Sequence, residues 1–238
     1  MIRHELNDRM VIKQTEGMEL KTALFDFDGV IMDTEHLYTE FWSMLGEEYL
    51  GLEDFGHTIK GQTLIQIFEK YFEGMDAQKA EIVPRLNEFE RTMPFEYIPG
   101  ALEFMQKIKR AGIPIAIVTS SNDAKMEKVY KAHPELLELA DAILTSEHFS
   151  KSKPDPECFL KAMERLNGSP ETTVVFEDSL HGLAAGRASG ANVVGLATSF
   201  PREVIEPLCD IIIEDFCDMA ITDSSRSLLY IPSGREMP

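Results

Sequence analysis

The sequence contains few cysteines and no long apolar run. Its three cysteines, Cys158, Cys209 and Cys217, show no CxxC spacing. An odd number without a disulfide framework is typical of a reducing cytoplasm. No stretch approaches the ~18 consecutive apolar residues of a membrane span, and residues 1–20 lack the apolar core of a signal peptide. We therefore expect a cytoplasmic protein with no membrane association.

Basic residues are also scarce, since 23 Lys and Arg residues face 41 Asp and Glu residues and give a net charge of −18. Nucleic acids and anionic membranes are bound through basic faces, so the composition excludes both as partners. A small phosphorylated substrate needs only a local positive site, and the overall charge does not exclude it.

The pattern of apolar runs predicts an α/β fold. Short apolar runs alternate with helical stretches of 10–15 residues, which is typical of a Rossmann-like, doubly wound parallel sheet. The candidate strands lie at residues 22–27, 113–119, 141–145, 173–177, 192–197 and 210–213. No convincing strand occurs between Thr34 and Phe95, where helices over 35–50, 62–72 and 77–92 are expected, the last kinked or split at Pro84.

This pattern predicts two structural units and two tails. The 238 residues are enough for one large domain or two modest ones. The predicted units are an N-terminal tail (1–20), an α/β core (21–33 and 96–222), an inserted α-helical cap (34–95) and a C-terminal tail (223–238).

Two carboxylates end the first predicted strand. Asp26 and Asp28 lie two residues apart, so both would point to one side, and Gly29 allows the chain to turn sharply. A turn with a helix cap is an ordinary explanation of such a sequence. A calcium loop is excluded, because it needs glycine at its sixth position and a preceding helix. Two adjacent acids repel, so they need a cation or separate roles as base and acid.

Polar residues also follow three later strands. Thr119 and Ser120 follow the second strand, Lys153 lies in the loop after the third, and Glu177 and Asp178 end the fourth. Each has a plain alternative, as a helix cap or a solvated loop lysine. Parallel strands present their carboxyl ends at one edge, however, so these groups would meet there. Together they match the needs of phosphoryl transfer, in which a cation and a lysine offset the repulsion between an attacking carboxylate and a phosphate dianion.

The sequence resembles the haloacid dehalogenase-like (HAD) superfamily, and within it the β-phosphoglucomutase/phosphatase-like group, whose helical cap follows the first motif. Four motifs, in the family's order, carry the resemblance: Asp26-Phe-Asp28-Gly29-Val30, Ile117-Val-Thr119-Ser120, Lys153-Pro154-Asp155-Pro156 and Phe176-Glu177-Asp178-Ser179. The resemblance covers about residues 21–220. It implies a phosphatase that acts on a small phosphorylated, sugar phosphate-like metabolite through an aspartyl-phosphate, and a monomer.

The resemblance also implies roles for the motif residues. Asp26 would be the nucleophile and Asp28 the general acid/base, while Thr119, Ser120 and Lys153 would hold the transferring phosphate. The predicted cofactor is Mg²⁺, with a shell formed by Asp26, Glu177, Asp178 and the backbone carbonyl of Asp28. The second acid, Asp28, argues against dehalogenation, because dehalogenase relatives lack it.

The cap residues distinguish a phosphatase from a mutase. Mutases of the group use a cap histidine and a cap arginine to hold a second phosphate, and Tyr38 and Leu64 occupy the matching positions here. Arg85 or Arg91 could replace the missing arginine. We therefore expect a phosphatase, with a β-phosphoglucomutase as the alternative and a catalytically silent binding module as a third possibility. The cap residues expected to contact substrate are His36, Lys60, Gln62 and Thr63.

Overall fold

A six-stranded parallel sheet forms the centre of the computed structural model, which describes residues 18–222 and 227–230. The strands in chain order are β1 (Met18–Glu19), β2 (Thr22–Phe25), β3 (Ile115–Val118), β4 (Ala142–Leu144), β5 (Thr173–Glu177), β6 (Asn192–Leu196), β7 (Ile211–Ile213), β8 (Met219–Ile221) and β9 (Ser227–Tyr230). The central sheet has the order β4-β3-β2-β5-β6-β7.

The strand order reverses between β2 and β5. After β2 the chain first builds β3 and β4 on one side, and then β5, β6 and β7 on the other. Phe25 in β2 pairs with both Ile117 and Phe176, so these three strands end almost level. Every residue of β2, β3 and β5 is buried, which is why their sequences are mainly apolar without alternation. The fold confirms the predicted Rossmann-like sheet, and the reversal is where such sheets bind ligands.

Helices α1 (Glu35–Leu50), α2 (Phe55–Thr58), α3 (Leu64–Tyr71) and α4 (Asp76–Thr92) follow β2 directly. They share an apolar cluster of their own, centred on Trp42, Phe55 and Phe72. The sequence did not predict the short helix α2. The expected interruption at Pro84 is not a break, since α4 continues through it. Pro84 is exposed, so water can hydrate the carbonyl that its missing N–H leaves unpaired.

The remaining helices cover both faces of the sheet. They are α5 (Ala101–Arg110), α6 (Asp123–Ala132), α7 (Glu135–Leu139), α8 (Glu157–Leu166), α9 (Leu180–Ala188) and α10 (Arg202–Ile205). Helices α5, α6 and α7 pack on the face that carries Phe25 and Phe176, whereas α8 packs on the face of Leu24 and Val175. Three short 3₁₀ turns complete the connections.

A second, antiparallel sheet joins the two ends of the described chain. Its order is β1-β9-β8, so β9 is the central strand. Leu228 of β9 lies opposite Met18 on one side and opposite Ile221 on the other. These strands correct part of the predicted tails, because Leu228 is buried in the main core. Such a pairing across more than 200 residues has no local signal in the sequence. Residues 1–17, 223–226 and 231–238 of the predicted tails lie outside the described residues.

No helix within the described part of the chain is both long enough and apolar enough to cross a membrane.

Candidate active site

A cavity of about 900 Å³ lies between the helices α1–α4 and the carboxyl edge of the sheet. All but one of the site residues expected from the sequence line it: Asp26, Asp28, Lys60, Gln62, Thr63, Thr119, Ser120, Lys153, Glu177 and Asp178. The exception is His36, whose exposed side chain contacts Asp33, with 3.3 Å between Nδ1 and Oδ1. The structure therefore does not bring His36 to the cavity, because it lies on the outward side of α1.

Lys153 is the central cation of the site. Its side chain is 2% exposed, and Nζ donates to Oδ1 of Asp26 at 2.6 Å, to Oε1 of Glu177 at 2.7 Å and to the carbonyl of Val118 at 3.3 Å. Burial by itself would lower the pKa of Lys153, but the two carboxylates outweigh it and raise the pKa. The lysine is therefore held in its charged form beside Asp26.

Three buried carboxylates lie close together in the part of the site that contains Lys153. Oxygen atoms of Asp26, Glu177 and Asp178 lie within 4.8 Å of one another, and all three side chains are buried. Burial raises the pKa of Asp26 to about 8, with Lys153 opposing and Glu177 reinforcing the shift. Burial also raises the pKa of Asp178 well above its ordinary value, helped by the negative charges of Glu35 and Glu177.

The donor set of this cluster fits a divalent cation. If all three carboxylates are ionised, one ammonium leaves two negative charges uncompensated in a buried site, and the raised pKa values of Asp26 and Asp178 reflect this repulsion and the burial. Carboxylate oxygens are the ligands that Mg²⁺ prefers. The cluster could therefore hold a divalent metal ion through Asp26, Glu177 and Asp178. The side chain of Asp28 does not belong to this cluster.

Backbone geometry after β5 orients Glu177. Its Oε2 accepts hydrogen bonds from the backbone N–H groups of Asp178, at 2.8 Å, and Ser179, at 2.7 Å. Ser179 also caps α9, since its Oγ accepts from the N–H of Gly182 at 3.0 Å. A Cβ on Gly182 would lie 1.7 Å from Oε1 of Glu177, so only glycine leaves room for this carboxylate. The segment is thus both a helix cap and part of the acidic cluster.

Asp28 is held by a separate group of donors, which sequence reasoning missed. Lys125, 2% exposed, donates to both carboxylate oxygens at 2.6 Å, and Ser121 donates to Oδ2 at 2.9 Å. Thr34 donates to Oδ1. Ser121 and Lys125 lie four residues apart around the start of α6, and this spacing is too common in helices to identify them from the sequence. Gly29 then turns the chain with φ of 76°, and a Cβ there would lie 2.1 Å from Oδ2 of Asp178.

Thr119 and Ser120 do not cap the following helix. Asn122 does so, because its Oδ1 accepts from the N–H of Lys125 at 2.8 Å. Thr119 is 1% exposed, and its Oγ1 accepts from the N–H of Ser121 at 3.0 Å. The turn after β3 is therefore fixed by Thr119, and it brings Ser120 and Ser121 to the cavity wall.

The loop before α3 contacts the core directly. Nζ of Lys60 donates to the carbonyl of Ser199 at 3.2 Å and lies 3.7 Å from Oε2 of Glu35. Thr63 caps α3, and Gln66 in its first turn donates to the carbonyl of Lys153 at 3.3 Å. The side chain of Gln62 donates to the carbonyl of Thr58 at 3.2 Å. All four of these side chains are thus already engaged by the protein.

The fold and this site together define a Rossmann-like enzyme with an acidic centre and a buried lysine at the sheet edge. The family model for haloacid dehalogenase-like hydrolases matches residues 20–190, more than half of the chain. The chain belongs to this family. A phosphorylated carbohydrates phosphatase of Thermotoga maritima is 30% identical over 179 residues, which are 72% of this chain and 82% of that protein.

A second relative and a solved structure are also similar to this chain. A bifunctional riboflavin kinase/FMN phosphatase of Arabidopsis thaliana is 28% identical over 211 residues, and they cover 81% of this chain but only 54% of that protein. The crystal structure of a HAD hydrolase of family IA from Entamoeba histolytica has the same fold, with a TM-score of 0.73, 24% identity, and coverage of 85% of this chain and 96% of that one. The predicted family and enzyme class, a hydrolase of phosphate monoesters, are confirmed.

Proposed function

We propose that the protein is a Mg²⁺-dependent phosphatase that hydrolyses a small phosphorylated, sugar phosphate-like metabolite through an aspartyl-phosphate. One observation carries the proposal: the carboxylate of Asp26 lies at the point where the strand order reverses, 2.6 Å from the ammonium of Lys153 and beside two further buried carboxylates. The phosphorylated carbohydrates phosphatase of Thermotoga maritima supports the substrate class.

In the proposed first step, Asp26 attacks the phosphorus atom of the ester. Lys153 offsets the repulsion between carboxylate and phosphate, which is of order 1–5 kcal/mol at about 3 Å when screened. Thr119 and Ser120 lie at the same edge and would orient the phosphate oxygens. A bound Mg²⁺, held by Asp26, Glu177 and Asp178, would supply the additional positive charge that stabilises the phosphoryl group in transfer.

Asp28 would perform the proton transfers. In its protonated form it gives its proton to the leaving alkoxide as the ester bond breaks. The resulting carboxylate then takes a proton from the water that hydrolyses the aspartyl-phosphate, which restores the acid. Its carboxylate already lines the cavity, where Lys125, Ser121 and Thr34 fix its orientation. The cap loop around Gln62 and Thr63 covers the site and would limit the access of water to the leaving group.

The arginines available in the cap do not favour a mutase. Arg85 donates to Glu48 at 2.8 Å and to Tyr49 at 3.0 Å, and Arg91 is paired with Glu88. Neither arginine lines the cavity. A second phosphate would therefore lack the cap arginine that the mutase mechanism needs, and the phosphatase is the better supported function.

The experiment that tests this proposal is phosphate release from a panel of phosphate esters and pyrophosphate, with Mg²⁺ and with excess EDTA. Release that depends on the metal is expected from some esters. A second arm uses β-glucose 1-phosphate with traces of the 1,6-bisphosphate and measures the formation of glucose 6-phosphate, the product of a mutase. Glucose 6-phosphate formed faster than free phosphate would reverse the choice of function, and no turnover on either arm would favour a silent binding module.

Replacing Lys125 with methionine should lower kcat/KM for an alkyl phosphate about 10–100-fold. The substitution removes the cation that orients Asp28 but keeps a side chain of similar length. Proton donation matters most for poor leaving groups, so the loss should be smaller for p-nitrophenyl phosphate. The measurement is kcat/KM for both esters with wild type and variant.

Lys131→Met is the matched control, because Lys131 is an exposed residue of the same helix and should leave both rates unchanged. An equal loss for both esters in Lys125→Met would show a structural role only. A rise in the alkyl rate would show that Lys125 restrains Asp28 rather than positioning it.

A further inference from the structure

Part of the cavity wall beyond Asp28 is formed by Tyr38 of α1 and Glu90 of α4, here called the cap wall. The ammonium of Lys125 lies 4.6 Å from the centre of the Tyr38 ring, and the hydroxyl of Tyr38 donates to Oε1 of Glu90 at 3.0 Å. Both residues line the cavity. A series of contacts thus joins Asp28, the proposed general acid, to the carboxylate of Glu90 through Lys125 and Tyr38.

Glu90 lines the cavity and has one carboxylate oxygen without a close hydrogen-bond donor among the described residues. The residue is 7% exposed, and its Oε1 is occupied by Tyr38. Among the contacts of the described residues, its Oε2 has only Nζ of Lys128, at 3.8 Å, which is beyond hydrogen-bond distance. The proton of the Tyr38 hydroxyl is already donated to Glu90, so the phenol oxygen also has only lone pairs to offer. The cap wall can therefore accept hydrogen bonds but cannot donate them.

Burial and the nearby charges of Asp28 and Glu90 raise the pKa of Tyr38 well above its ordinary value. The phenol therefore stays protonated and remains the donor to Glu90.

The charge of the cavity disfavours a second anion. Eight carboxylate side chains and three lysines line it within the described residues. Each lysine already has a carboxylate partner: Lys60 has Glu35 at 3.7 Å, Lys125 has Asp28 at 2.6 Å and Lys153 has Asp26 at 2.6 Å. Among the described residues, an anionic group on the leaving alcohol would find every lysine of the lining already paired with a carboxylate.

We propose that Glu90, supported by Tyr38, binds a hydroxyl group of the leaving alcohol and makes the enzyme selective for phosphate esters of uncharged, polyhydroxylated alcohols. This inference rests on the proposed phosphatase function and extends it to the leaving group. A hydroxyl is the donor expected here, because the proposed substrate is sugar phosphate-like. Esters that carry a carboxylate or a second phosphate are rejected.

The test uses a matched set of six-carbon esters. Glucitol 6-phosphate and 6-phosphogluconate differ only in a terminal hydroxymethyl or carboxylate group, and hexyl phosphate lacks the hydroxyls. With wild-type enzyme and Mg²⁺, kcat/KM for glucitol 6-phosphate should exceed the other two values at least about 10-fold, as expected for a lost hydrogen bond to a charged group. Comparable values for glucitol 6-phosphate and 6-phosphogluconate would overturn the inference.

Glu90→Gln should reduce the preference for glucitol 6-phosphate over 6-phosphogluconate at least 5-fold, mainly through KM. Glu88→Gln, an exposed position on the same helix, should leave the preference unchanged. Tyr38→Phe, which keeps the ring over Lys125, provides a second variant and should also weaken the preference. Equal losses on every ester in both variants would show that the cap wall is structural only.

p-Nitrophenyl phosphate separates the two possible failures. Its hydrolysis without any preference among the six-carbon esters would refute the inference and leave the phosphatase function standing. No phosphate release from any ester would refute both.

Discussion

Asp26→Asn is expected to abolish phosphate release, with a loss of about 10⁴-fold or more in kcat, as is usual when a catalytic nucleophile is removed. An amide nitrogen and oxygen cannot attack the phosphorus atom as the carboxylate does. Asparagine has nearly the same size, so the fold should be retained, and Lys153 keeps its bond to Glu177 at 2.7 Å. The measurement is kcat on the best ester of the panel with Mg²⁺.

Asp33→Asn is the control for this variant. Asp33 follows the same loop, is about half exposed and does not line the cavity. It should retain wild-type activity. The proposed mechanism also predicts that acid-quenched wild-type enzyme carries substrate phosphate on Asp26 and that the variant carries none. Activity of Asp26→Asn within 10-fold of wild type would rule out Asp26 as the nucleophile.

Asp28→Asn should lower kcat for alkyl phosphates by about 10²–10⁴-fold, the usual contribution of general acid–base catalysis. The amide cannot protonate the leaving alkoxide. p-Nitrophenolate needs no such proton, so formation of the aspartyl-phosphate from p-nitrophenyl phosphate should be affected much less. Its breakdown also needs Asp28, as the base that activates water.

Burst kinetics test this pair of effects. With Asp28→Asn and p-nitrophenyl phosphate, one equivalent of p-nitrophenolate should be released rapidly, followed by slow turnover. Alkyl esters should show no burst. A uniform loss for both esters without a burst would contradict the role of Asp28 as the acid and base, and would leave it a structural partner of Lys125.

Much of the fold could be predicted because its signals are local. Buried strands such as β2 and β5 consist mainly of apolar residues, and helices separate them at regular intervals, so the parallel sheet follows from the pattern. The short pairing of β1 with β9 could not be predicted, because strands of two to four residues carry little pattern and their partners lie at opposite ends of the chain.

The candidate site also has one part that could be predicted from the sequence and one part that could not. The shared position of Asp26, Lys153 and Glu177 at one sheet edge could be predicted from the sequence alone, because residues that follow parallel strands meet at that edge. The contact of Lys125 with Asp28 spans 97 positions in the chain, and it could be identified only in the folded protein. A lysine four residues after a serine is an ordinary surface pattern, and its burial depends on how α6 packs beside the turn after β2.

The cap was the least predictable part. Of the residues predicted there, His36 does not line the cavity and Lys60 lines it but is already paired with Glu35. Glu90, which the sequence did not indicate, forms part of the cavity wall with Tyr38. The reason is physical: helix periodicity identifies a buried face, but it does not say whether that face meets other helices or a cavity. That choice depends on how the helices are placed over the sheet, which only the folded structure decides.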